Sequence, residues 1–427
     1  MNGLTLKKYI RAGKLDPVLM QIYGESAVAA QRERYLAALE EFCGIFGENR
    51  ETSLYSVSGR SELSGNHTDH NRGCVIAASI DLDIIAVASR REDGVICVKS
   101  EGFSTDTVAI DSYLAPDPAL YGTSASIIGG MCAGFRKDGY AVGGFDAYTT
   151  SRVLKGSGLS SSAAFEDMIG TILNHLYNDG QVDNVEIAKL AQYAENEFFG
   201  KPCGLMDQVA CAVGGIVAID FGDPTVPVIE KIDFDMTERG YHLCIVNTGG
   251  NHADLTDDYA AVPAEMRSVA AQFGKAVLRE VDAKALREEI PALREKLGDR
   301  AVLRALHFMR ENERVAKQKA ALMEGNLEEF LDQVLASGRS SFCYLQNVYT
   351  NKNITEQGLS LALCLAEELL EGKGAAWRVH GGGFAGTIQA FVPTVAAESF
   401  RTAMDAVFGA GSCIVLQIRS KGAIRVC

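Results

Sequence analysis

Apolar residues at Phe165, Met168, Ile169, Ile172, Leu173 and Leu176 recur at steps of three and four, which predicts a helix with one buried face. A second amphipathic helix is expected near residues 28–46, with Tyr35, Leu39, Phe42 and Phe46 on one side, and a third over 184–198. Between the first two lie short runs rich in β-branched residues, read as strands at Leu54–Val57, Cys74–Ala78, Asp83–Ser89 and Val95–Lys99. From about residue 241 the pattern changes to long helical stretches near 300–323, 326–337 and 357–371. Short strands follow around Trp377, Thr387–Phe391 and Ile414–Ile418. Strands grouped early and helices late point to an α+β chain in two layers rather than one alternating βα array.

The chain has 427 residues, 47% of them apolar, beyond the size at which one core usually keeps growing. Two domains are expected, 1–235 and 236–427, divided at or shortly after the Gly222-Asp223-Pro224 turn. With 41 basic and 55 acidic residues the formal charge is −14, and no basic stripe offers itself to a polyanion such as nucleic acid. Neither a signal peptide nor a run of roughly 20 apolar residues is present, so a cytoplasmic protein without membrane contact is expected. The eleven cysteines form no CxxC pair and read as reduced residues.

The helix that carries Phe165 to Leu176 is opened by the loop Gly156-Ser157-Gly158-Leu159-Ser160-Ser161-Ser162-Ala163-Ala164. Free backbone N–H groups and the positive end of the helix dipole converge at such a start, and glycine lets a polyphosphate approach the backbone. A serine-rich cap on a core helix would have the same spelling. Val379-His380-Gly381-Gly382-Gly383-Phe384-Ala385-Gly386 contains GxGxxG, but the alternating Thr387–Pro393 run after it reads as a strand, whereas the dinucleotide fingerprint must open a helix. No GxxxxGK[ST] occurs, so nucleotide phosphates would be held without a P-loop lysine.

Other segments carry polar groups that a packed core does not ask for. Gly59–Asn71 compresses Arg60, Asn66, His67, Thr68, Asp69 and His70 into thirteen positions. Such density suits a polyhydroxylated ligand, whose hydroxyls both donate and accept; a solvated turn, or a metal held by His67, His70 and Asp69, are the alternatives. Asp207 lies beside Leu205, Met206 and Val209, where burial demands a cation, for which Arg60 is the candidate, unless it caps the short run after it. Glu195 falls in the helix expected over 184–198, and Asn247-Thr248-Gly249-Gly250-Asn251-His252 ends a strand before Tyr259.

Taken in order, these segments resemble the GHMP kinase superfamily and, within it, the galactokinases, over essentially the whole chain. GRSELSGNHTDHNRG stands where the family has GRxNxIGEHTDYNGG; GSGLSSSAA, CGLMDQ, HGGGFAG and the seven-residue step from His252 to Tyr259 match its other motifs. The resemblance implies a two-domain α+β fold with mixed and antiparallel sheets, covering helices and an active site between the domains. It implies transfer of phosphate from ATP to the C1 hydroxyl of galactose, with Asp207 as catalytic carboxylate and Arg60 orienting it. Gly156, Ser157, Gly158, Leu159, Ser160, Ser161 and Ser162 would hold the triphosphate, with Ser100 touching the nucleotide. Ser162 and Glu195 would ligate Mg²⁺, and Asn66, His67, Thr68, Asp69, Gly204 and Tyr259 would surround the sugar. Small-molecule sugar and ATP are then the partners, and no protein partner is expected.

Three departures bear on the substrate. Asn66 replaces the family's glutamate, which removes a charge that would repel a carboxylate at the sugar's C6. Glu62 and Ser64 replace an asparagine and an apolar residue, and Thr123-Ser124-Ala125-Ser126 stands where the family has aromatic residues near adenine. The alternatives are therefore a kinase of the same superfamily acting on galacturonate or N-acetylgalactosamine, and a galactose and ATP sensor without turnover.

Overall fold

The computed structural model describes residues 1–153, 158–250 and 255–427. Among them, twelve strands form two sheets. The larger contains β1 (Ser53–Ser64), β2 (Cys74–Arg90), β3 (Val95–Ser100), β4 (Thr105–Ala109), β5 (Phe145–Ser151), β6 (Ile216–Asp220), β7 (Val228–Ile232) and β12 (Ile424–Arg425). Its order is β12-β1-β2-β5-β3-β4, with β6 and β7 continuing from the other end of β2. The β3–β5 pair is parallel and the other pairs are antiparallel, so the sheet is mixed. The smaller sheet is antiparallel, in the order β11 (Cys413–Leu416), β8 (Tyr241–Asn247), β10 (Thr387–Pro393), β9 (Ala376–His380).

Alternate residues of the central strands enter different cores. Tyr55, Val57, Ile84, Ala86 and Ala88 pack with Met168, Ile169 and Ile172 of the helix Ser161–Tyr177, while Leu54, Ile85 and Val87 pack with Tyr35, Leu39 and Phe42 of the helix Val28–Phe46. With both faces covered, every residue of β1 is buried, including its polar ones. This is why the strand runs on to Ser64, through positions that sequence alone reads as a polar loop. Ser58 donates to the Cys211 carbonyl at 3.0 Å and Ser79 to the Ala210 carbonyl at 2.6 Å, which satisfies hydroxyls that water cannot reach. For the same reason the two strands read at 74–78 and 83–89 are one, β2, whose halves pair with β6 and β5.

The smaller sheet packs on the helices Gly358–Leu370 and Thr394–Phe408 on one side and on Asp299–Met323 and Leu327–Ser340 on the other. Phe330 and Phe391 meet edge to face at 5.2 Å, each burial stabilising by about 2 kcal/mol. After β11 the chain returns to the larger sheet: Arg419 reaches Asp83 at 3.1 Å and β12 pairs with β1. No helix among the described residues is long and apolar enough to cross a membrane, and all eleven cysteines are free.

Candidate active site

A break in the β1–β2 register sets the centre of the site. Between Ser58 and Arg60 the register shifts by two residues, with the surplus on β2, and the regular β1–β2 pairing is interrupted at Gly59. Gly59 lies against the Leu159 carbonyl, where a Cβ would come within 2.9 Å, and Arg60 donates its backbone N–H to that carbonyl at 3.1 Å. The Gly158–Ser160 end of the glycine and serine loop is thereby docked on β1. The Arg60 guanidinium then forms a two-pronged pair with Asp207, Nε to Oδ1 and Nη2 to Oδ2, both at 2.8 Å, and its Nη1 donates to the Gly158 carbonyl.

Asp207 lies in the first turn of the helix Met206–Val213 but does not cap it. Its carboxylate takes Arg60 and, at 2.5 Å, the Ser160 hydroxyl. Burial favours the protonated form, yet Arg60 and Ser160 together hold this carboxyl below its ordinary range. Its side chain remains 35% exposed, so an ionised oxygen is accessible beside the loop. Ser160 adopts left-handed backbone angles, φ 58° and ψ 57°, a strain of about 1 kcal/mol for a non-glycine residue. Its bond to Asp207 fixes the loop at that point.

Next to this pair is a cavity of about 440 Å³ lined by Ser100, Glu101, Phe103, Asp106, Ser161, Ser162, Phe165, Glu166, Glu195 and Lys201 among others. Ser100 ends β3 and accepts a bond from Thr149 at 2.9 Å. Gly156 and Ser157 lie outside the described residues. The helix expected over 184–198 ends as an α-helix at Tyr193 and continues as a π-turn, Ala194–Phe199, which carries Glu195. Glu195 is buried, with Lys201 at 3.1 Å on one oxygen and the Gln208 amide at 2.9 Å on the other. Gln208 also donates to Glu166 at 3.0 Å. Burial and the nearby Glu195 push Glu166 up to about 8. Sequence reasoning missed Glu166, Gln208 and Lys201; Glu166 and Asp167 fall off the apolar face of their helix, where acids read as solvent-facing.

The signature turn meets the glycine-rich connection between β9 and β10. His67 donates from Nε2 to the Gly382 carbonyl at 2.8 Å, and burial lowers its pKa to about 4, so it is neutral. Tyr259 donates to the Gly383 carbonyl at 2.8 Å, its ring edge-on to Phe384. Asp69 is partly exposed and faces Gly204, where a Cβ would come within 3.3 Å of its Oδ2. Asn66 and Thr68 are fully buried. The Thr68 hydroxyl is engaged with the Gly65 and Cys74 carbonyls. The Asn66 amide donates to the Gly381 carbonyl at 2.7 Å and towards Glu62 at 3.4 Å, and accepts from Asn347 at 2.8 Å and Ser341 at 3.2 Å. Those four bonds use its full capacity. Asn251 and His252 fall outside the described residues.

The galactokinase galactose-binding signature matches residues 40–90, and the GHMP kinases N terminal domain matches 126–215. A galactokinase of Streptomyces coelicolor is 31% identical over 377 residues, covering 87% of this chain and 92% of its own. The chain belongs to the galactokinase family. A galactokinase of Lactococcus lactis is 29% identical over 90% of this chain and 94% of its own. A crystal structure of Lactococcus lactis galactokinase complexed with galactose superposes with a TM-score of 0.75 at 26% identity, over 92% of this chain and all of that one. A mevalonate kinase superposes at 0.61 with 15% identity, which places the architecture as the GHMP kinase fold. In this galactokinase-family chain the matched signature contains both Arg60 and the turn that bears His67 and Asp69.

Proposed function

We propose that the protein is an ATP-dependent kinase that phosphorylates the C1 hydroxyl of galactose, with Asp207 and Arg60 at the reaction centre. The observation that carries this reading is the two-pronged Arg60–Asp207 pair, part-exposed between the 440 Å³ cavity and the His67–Asp69–Gly204–Tyr259 cluster. A phosphoryl group bound at the loop and a sugar bound at the cluster would meet over Asp207. Its ionised carboxylate accepts the hydrogen of the anomeric hydroxyl as the O1–Pγ bond forms, the bond from Pγ to the ADP oxygen breaks, and the proton leaves through Asp207. An anomeric hydroxyl is more acidic than an ordinary alcohol, so an acceptor whose basicity Arg60 lowers suffices. Arg60 also balances charge at the transferring oxygens, the main need of a loose transition state.

Glu195 and Ser162 suit a Mg²⁺ ion, because hard oxygen donors from one or two side chains plus phosphate oxygens are its usual set, and Lys201 already stands on Glu195 as a cation. When bound, Mg²⁺ supplies charge neutralisation on the polyphosphate. His67, Asp69, Gly204 and Tyr259 line the sugar side in this reading, and Asn66 and Thr68 shape the turn from behind.

The test is incubation with Mg-ATP and galactose, galacturonate, N-acetylgalactosamine or glucose, with detection of each sugar phosphate by mass spectrometry. Galactose phosphate is expected as the dominant product. Dominance of another phosphate, or no product from folded protein that binds ATP, overturns the assignment.

A further inference from the structure

Among the charged side chains described on the cavity wall, Lys201 is the basic one and Glu101, Asp106, Glu166 and Glu195 are acids; the rest of the lining is apolar or hydroxyl-bearing. Arg60, the neighbouring cation, already faces the Asp207 carboxylate through Nε and Nη2 and the Gly158 carbonyl through Nη1, so much of its charge is balanced within the protein. A nucleotide polyphosphate entering these walls meets Glu101 and Asp106 as like charge, and the glycine and serine loop offers it backbone and hydroxyl donors. Among the described residues, no other lysine or arginine side chain lines the cavity.

The position of Lys201 follows from the π-turn. The Glu195 carbonyl accepts from the N–H of Gly200, at φ 78°, and from that of Lys201 at 3.2 Å, so the chain doubles back and sets Lys201 beside Glu195. Such turns are frequent at functional sites. Among the described residues the Lys201 ammonium is paired with Glu195 alone, at 3.1 Å, and the side chain is 63% exposed. An ammonium has three N–H donors.

We propose that Lys201 binds the nucleotide polyphosphate, donating to a phosphate oxygen through the N–H groups that its pair with Glu195 leaves over. It would thus do the work of the lysine that the loop lacks. The proposal rests on the ATP-dependent reading above.

The test compares Lys201→Met and Lys201→Arg with the wild-type chain. ATP binding is measured by calorimetry in EDTA, which removes any metal contribution, and KM is measured for ATP and for galactose. Lys201→Met is expected to weaken metal-free ATP binding by about tenfold or more and to raise KM for ATP by a similar factor. KM for galactose should not move, Lys201→Arg should restore most of the loss, and high salt should shrink the difference. Unchanged metal-free ATP binding in Lys201→Met with a normal melting curve overturns the proposal and leaves Lys201 as a partner of Glu195 only. If Lys201→Met does not fold, Lys201→Gln carries the same comparison. Absence of both ATP binding and sugar phosphate in the wild type would instead sink the underlying kinase reading.

Discussion

Asp207 combines two properties that ordinary packing does not: an ion pair of ideal fork geometry and an exposed oxygen. Asp207→Asn removes the charge but keeps the shape. Its kcat is expected to fall by about 10²–10⁴-fold with sugar binding retained, measured by steady-state kinetics alongside sugar binding; full turnover would refute the role. Asp167 is the opposite case, a fully buried carboxyl with neither oxygen partnered among the described residues. Burial and the adjacent Glu166 push its pKa well up. A native pKa above the unfolded value means the native state holds the proton more tightly, so stability is lost as pH rises above about 4. Asp167→Leu should therefore stabilise the fold by about 1–3 kcal/mol at neutral pH and by less in acid, as followed by urea unfolding across pH. A gain that does not change with pH would contradict this account.

At the scale of elements, the break in β1–β2 pairing at Gly59 and the left-handed Ser160 fix the glycine and serine loop to the sheet. Gly59→Ala would place a Cβ 2.9 Å from the Leu159 carbonyl and 3.0 Å from Val153, forcing strand and loop apart. The expected result is a kcat lower by about ten- to a hundredfold with little change in far-UV circular dichroism. Wild-type kcat would mean that the loop does not depend on this contact. Neither the register break nor the π-turn is visible in periodicity: both depend on backbone shifts of one or two residues, whereas the helix Val28–Phe46 and the strand Thr387–Pro393 agree with patterns that extend over many residues.

At the scale of the molecule, the halves are joined by polar pairs distant in sequence. Arg378, in β9, meets Glu62, in β1, at 2.6 Å across 316 positions, and also donates to the Leu63 carbonyl at 3.0 Å. His307 reaches the Asn66 carbonyl at 3.0 Å, and Asn347 and Ser341 hold its amide. Arg378→Met leaves Glu62 buried without its cation and should cost about 3–5 kcal/mol, much of it recovered in Glu62→Gln/Arg378→Met. Chemical denaturation of both variants checks this, and equal losses would show that the pair is not the cause. The same network explains the departures in the signature: Glu62 has Arg378, and Asn66 both donates and accepts, which a glutamate in its place would not do.

The sequence by itself determined the α+β class, the long helices and the order of motifs, because periodicity and glycine or serine chemistry are local properties. It also pointed to Arg60 as the candidate cation for Asp207, since a carboxylate among apolar neighbours demands a counter-charge. Only the tertiary structure decided that the polar run from Gly59 to Ser64 is a buried strand, that Asn66 and Thr68 turn inward while His67 meets the Gly382 carbonyl and Asp69 faces Gly204, and that Glu166, Gln208 and Lys201 join Glu195. Each of those outcomes depends on which distant carbonyl, carboxylate or helix covers a side chain, and burial of that kind has no signature in a stretch of neighbouring residues.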